Sequence, residues 1–182
     1  MQPDFDLRLR AMQKALSQVV IPALDTSNRQ AQEQAQLVLG SLEVVRQQVD
    51  HAQWYEAADL VSLCNLAESL STVPALDVGA AIPAARRHAL ERVSRWDVTL
   101  TQLRAASAAL REAIGGLIES VYGHDAQSTV LAVTRLVMAH AKEQIGRERA
   151  YVAPMKWDGY PDSLLPLDES LRRAVRKSPA AA

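Results

Sequence analysis

Acid–base or metal chemistry in this chain must draw on few side chains, because its 182 residues include only four histidines and one cysteine. The densest set is His51, Trp54, Tyr55 and Glu56. An imidazole and a carboxylate this close on a helix can serve as acid and base, and the two aromatic residues between them would line an apolar pocket. The competing role of Trp54 and Tyr55 is packing, which aromatic side chains usually supply. His140 and Glu143 form a second pair one helical turn apart. Catalysis there requires a partner from another helix, whereas a partly buried, hydrogen-bonded histidine requires none. Cys64 falls on the apolar side of its helix with no His or Asp at helical spacing to activate it, so it reads as a small buried hydrophobe.

Metal chemistry is constrained by spacing. A carboxylate di-iron centre in a bundle needs Glu-x-x-His pairs on facing helices. The residues three before His51, His88, His124 and His140 are Gln48, Ala85, Val121 and Val137, so that pattern is missing. The adjacent pair His124-Asp125, with His88 upstream and Asp158 or Asp162 downstream, resembles the metal-binding set of the HD-domain phosphohydrolases. The resemblance implies a divalent metal at His88, His124 and Asp125 and metal-dependent hydrolysis. In that family the pair lies on an apolar helix with a glycine soon after it, whereas here it follows Gly123 and precedes Ala126-Gln127-Ser128. Gly-His-Asp between two helices is also what a C-cap followed by an N-cap requires. That capping reading is favoured, and no metal or cofactor is expected.

Arg86, Arg87, His88, Arg92 and Arg95 make a basic patch suited to phosphate or an acidic partner. Glu91 and Asp97 dilute it into an ordinary solvated face. Over the whole chain 20 basic and 21 acidic residues leave a net charge of −1, which argues against a nucleic-acid partner. The interleaved charges of residues 4–10 leave no apolar signal-peptide core, and no apolar run is long enough to span a membrane. With a single cysteine, these features make a cytoplasmic location the default expectation.

The elements that must position these residues are helices. The hydrophobic fraction is 48% with only 4% aromatic residues, so the core is aliphatic, and glycine (7) and proline (8) are sparse. Apolar residues alternate steps of three and four along most of the chain. Phe5, Leu9, Met12, Leu16 and Val19 predict a helix over residues 4–20, stopped by Pro22. Ser27 and Gln30 have capping-box spacing, and the stripe Ala31, Ala35, Val38, Leu42, Val45, Val49 follows. Its phase changes between Asp50 and Glu56, resuming at Ala57, Leu60, Cys64, Ala67 and Leu70, which predicts a break near His51 within 27–73. A further helix is expected over 84–122, carrying Gly115-Gly116 inside it, where close helix approach, a kink or room for a ligand would offset the propensity cost. Gly123 is read as its cap. A last long helix over 126–151 should face inward with Val130, Thr134, Val137, Ala141, Ile145 and Glu148. The segment 152–182, with Trp157, Tyr160 and its prolines, reads as an extended tail ending in a short helix after Pro166.

The sequence therefore predicts an all-α, antiparallel up-down helical bundle of about four to five helices over 1–151, with a tail over 152–182. The leading functional expectation is a self-associating interaction or scaffold protein, a homodimer without cofactor. The expected 84–122 helix, about 58 Å long, outruns the last, at about 39 Å, and a symmetric partner would cover the overhang. The alternatives are a protein binding a small apolar ligand near residues 51–56 and Gly115-Gly116, and an HD-like metal-dependent hydrolase.

Overall fold

A computed structural model describes residues 4–124, 126–153 and 159–176, without the side chains of His124 and Pro161. Every regular element among them is helical. Asp4 opens α1 (Phe5–Ala15) by accepting a hydrogen bond from the Leu7 amide at 3.0 Å. The chain continues through a π-helical turn (Leu16–Val20) into α2 (Ile21–Ala23). Pro22 thus lies inside the last turn and does not stop the helix before it, its missing N–H being tolerated at the start of that short piece. Asn28, not Ser27, caps α3 (Arg29–Gln48), accepting from the Ala31 amide at 3.0 Å. The Ser27 hydroxyl instead donates to Asp25.

The expected break near His51 is present. Residues 49–51 form a turn, and α4 (Ala52–Ser71) begins immediately after it. The chain divides there into two compact units, residues 1–51 with 151–163, and residues 52–150 with 164–182. In the first unit, α1 pairs with α3. Arg46 of α3 bridges Asp6 of α1 at 3.1 Å and Glu43 at 2.7 Å, and Gln13 donates to Glu43 at 2.8 Å. The hydrogen bonds from Arg46, then those from Gln13 and Gln47, hold the Glu43 carboxyl down at about 2.

The second unit is built around α4. Ten of its residues, from Ala58 to Leu70, are buried, on all sides of the helix and not on one stripe. A helix buried on all sides belongs at the centre of a core, and α5 (Ala81–Val93), α6 (Leu100–His124) and α8 (Leu167–Arg176) pack closely against it. The change of phase read in the sequence is therefore also a change from a helix with one neighbour to a helix with several. α7 (Gln127–Val152) joins the same core through Val133, with Val130, Leu136 and Val137 packed around it.

Two expectations are corrected here. The single helix predicted over 84–122 is two, α5 and α6, and this raises the described helices to seven, counting the segment from α1 to α2 as one. The break carries its own chemistry. Thr99 accepts from the Gln102 amide at 3.3 Å while Gln102 accepts from the Thr99 amide at 3.0 Å, a reciprocal capping box that starts α6. Trp96, at the turn, is 94% exposed. With the long helix gone, the overhang argument for a dimer falls with it. Gly123 is also helical, and α6 runs past it to His124. The inward stripe of α6 runs at steps of three and four, with Leu103, Ser107, Leu110, Ile114, Leu117 and Val121 all buried.

Gly115 and Gly116 lie in an unbroken stretch of α6, and a Cβ on either would meet no atom within 4 Å. Close helix approach is therefore not their role. Replacing the exposed Gly116 with Ala is expected to raise the unfolding free energy by about 0.5–1 kcal/mol. Urea denaturation checks this, and an unchanged or lower midpoint would mean that the helix needs a glycine there.

Candidate functional site

The least expected chemistry lies on one side of α4. Tyr55, Asp59, Ser62, Asn65 and Ser69 follow one another at steps of three and four, so one face of a helix otherwise sunk in the core is polar. Asp59 is 4% exposed and Arg147 of α7 is 3% exposed. Arg147 donates to one Asp59 carboxylate oxygen at 3.2 Å, and Arg111 of α6 donates to the other in a short contact. A buried carboxylate demands such partners, since leaving a charge unpaired in the core costs several kcal/mol. Burial pushes the Tyr55 hydroxyl up to about 12, with the Asp59 charge adding to it.

One turn beyond, Ser62 Oγ lies 3.4 Å from His140 Nδ1. Burial, and after it the Arg147 charge, lowers the His140 pKa below its ordinary 6.5, so the ring is neutral at pH 7. Beside this pair is a cleft of about 170 Å³, lined by Ser62, Asn65, Leu66, Leu136, His140 and Glu143, among others. Asn65 Oδ1, His140 Nε2 and Arg147 Nε are buried without a hydrogen-bond partner. Asn65 of α4 and His140 of α7 both line the cleft.

The residues singled out in the sequence fall differently. Trp54 and Tyr55, half-buried, pack with Leu167 against the cluster of Ala58, Leu171 and Ala174, and the Arg172 guanidinium stacks 5.9 Å from the Trp54 ring centre. Glu56 accepts from Arg104 at 2.7 Å. His51 closes the first unit, while Trp54, Tyr55 and Glu56 belong to the second. The cleft described above and the groove described next are lined by other residues. His88 is exposed and accepts from Arg92 at 3.4 Å. Asp125, Asp158, Trp157 and the His124 side chain lie outside the described residues, and among the described ones no three His, Cys, Asp or Glu side chains stand together as a metal site.

The basic patch is largely engaged within the chain. Arg86 pairs with Glu68 at 3.0 Å and donates to the Cys64 carbonyl, and Arg95 pairs with Asp97 at 2.7 Å. Arg86, Arg87 and Leu90 line an open groove of about 800 Å³ between α4 and α5. Cys64 is buried, and burial pushes its thiol up to about 11, where it is protonated and unreactive at neutral pH.

Val130 and Val137 of the expected α7 face do pack against the core, but its second half is turned, and this hides Arg147, the partner of Asp59. The buried positions are Thr129, Val133, Arg147 and Ala150, while Ile145 and Glu148 are exposed. Counting apolar residues favoured Ile145 over Arg147. The signal that finds the right phase is the pairing itself: Asp59, an acid inside an apolar run, needs a base on a neighbouring helix.

Comparison with models of protein families, with curated proteins and with solved structures finds no match.

Two outcomes are expected. Asp59→Asn leaves the Arg147 charge buried without its counter-charge and lowers stability by about 3–5 kcal/mol in urea denaturation; a loss under 1 kcal/mol would show that the pair is solvated. Because folding lowers the His140 pKa, the unfolded chain binds a proton that the folded chain resists. Stability is therefore full above pH 6.5 and falls as pH drops below that value toward the folded pKa. Urea midpoints across this window should fall less steeply in His140→Asn than in the parent protein.

Proposed function

We propose that this chain is an assembly protein that self-associates into a homodimer through its N-terminal helical hairpin. The observation that carries the reading is that no residue of α1, of the π-helical turn or of α2 and α3 is buried. The hairpin folds Leu9 of α1, Leu16 of the π-helical turn and Leu39 and Leu42 of α3 partly inward. It leaves Phe5, Met12 and Val19 exposed at seven-residue spacing, and Val38 and Val45 exposed at the same spacing on α3, with Leu37 beside them at 60% exposure. Repeats of seven are the spacing by which helices pack in bundles. Two helices with a second apolar row each lack what two further helices supply, and a second hairpin of the same sequence carries matching rows.

The ion pairs of the hairpin fit this reading. Asp6, Glu43 and Arg46 satisfy one another within one chain, so association need not desolvate an unpaired charge. Among the described residues no helix is long and apolar enough to cross a membrane.

The test is the mass of the particle in solution, by light scattering on a sizing column and by native mass spectrometry. The parent protein is expected to be a dimer at micromolar concentration. Val38→Glu with Val45→Glu should raise the dimer dissociation constant by about a hundredfold, since covering the exposed half of a valine contributes roughly 0.75 kcal/mol and the dimer loses four such contacts, about 3 kcal/mol in all. Circular dichroism should show its helix content retained. A monomeric parent protein at tens of micromolar (about 10–100 μM, the weak end of specific association) would overturn the reading.

A further inference from the structure

We propose that the cleft between α4, α7 and α8 is a binding site for a small neutral amphiphile whose head both donates and accepts a hydrogen bond, a short-chain primary carboxamide being the chemistry that fits. This site is independent of the hairpin and lies wholly within the second unit.

The head is argued from two orphan atoms. Ser69 and Ser71 of α4 each donate to the carbonyl four residues back, at 2.9 Å. Ser62 makes no such bond; its hydroxyl faces His140 Nδ1 at 3.4 Å. We assign the shared proton to Ser62, which places the proton of the neutral imidazole on Nε2 and makes that nitrogen a donor without an acceptor. Asn65 Oδ1 is an acceptor without a donor. Both residues line the cleft. A carboxamide offers an oxygen to the first and an N–H to the second, and so supplies both missing partners.

The body is argued from the remaining walls. Leu66 of α4, Leu136 and Ala139 of α7 and Ala174 of α8 are apolar, suited to a short alkyl tail. About 170 Å³ is the share of liquid volume of five or six waters, enough for a molecule of fewer than ten non-hydrogen atoms. Charged heads fit worse on both signs. Glu143 lines the cleft and repels a carboxylate. An ammonium has no lone pair to accept the Nε2–H and leaves that donor unpaired. Asp59 balances the buried Arg147, and Arg111 is partly solvated, so the cluster needs no counter-ion from a ligand.

The experiment is an amide-resolved NMR titration of the full chain with butanamide, butanoate and butan-1-amine. Butanamide is expected to give saturable shifts confined to α4, α7 and α8, with a dissociation constant on the order of 1 mM for so small a ligand. The two charged analogues should bind at least about tenfold more weakly, the difference of one charge-assisted or unmade hydrogen bond. Ala139→Phe, a change at an exposed residue that fills the cleft without touching the polar groups, should abolish the shifts while the spectrum stays folded. Asn65→Leu should weaken binding about tenfold. If ordered water already satisfied the same two atoms, no titration would saturate, and that result would overturn the proposal. Equal response to all three probes, or binding that survives Ala139→Phe, would overturn it as well.

Discussion

A carboxylate cannot be left alone inside an aliphatic bundle, and much of the second unit is arranged around that constraint. Asp59 sits in the middle of a helix whose other faces are Leu, Val, Ala and Cys. Arg111 from α6 and Arg147 from α7 both reach it. A buried ion pair contributes little net stability compared with an apolar pair of the same volume. Its effect here is geometric. It fixes the rotation of α7 about its own axis, turning Arg147 and His140 inward and Ile145 and Leu131 outward. An apolar contact tolerates a rotation of this kind, whereas a charge does not. The same rotation brings His140 to Ser62 and forms the polar lining of the cleft beside them.

The first unit holds its helices by other means. Its inter-helix contacts combine half-buried leucines with a surface network of Asp6, Gln13, Glu43 and Arg46. Exposed ion pairs contribute about 0–1 kcal/mol each, and helices of this length are marginal in water without packing. One chain thus carries a unit with a buried core centred on α4 and a hairpin without a single fully covered side chain. This difference in burial, more than any cluster of reactive groups, separates the two units.

Much of the fold was legible in the sequence. The stripe from Leu103 to Val121 identifies α6 and its inward face, because residues of one character recur without interruption. The phase change at Asp50 to Glu56 marks the break between α3 and α4, because a straight helix cannot bury two faces in succession against one neighbour. The division between α5 and α6 was missed although Thr99 and Gln102 carry the capping spacing, since an apolar register that continues across a turn hides it. The polar cluster was missed for a deeper reason. Hydrophobic periodicity treats every charge as solvent-facing, and Asp59 and Arg147 are inside because each satisfies the other. A relation of this kind between residues 88 positions apart cannot be seen along one helix. The aromatic pair at Trp54 and Tyr55 drew attention by its rarity, and the structure gives it a packing partner in α8.

That partner has a consequence for how the protein is made. α8 covers Ala58 with Leu171 and Ala174, although it is synthesised long after α4. A chain emerging from the ribosome at roughly 5–20 residues per second presents its hairpin, with both apolar rows open, well before the segment that closes the second unit exists. At that stage the buried acid of α4 still waits for Arg111 of α6 and Arg147 of α7.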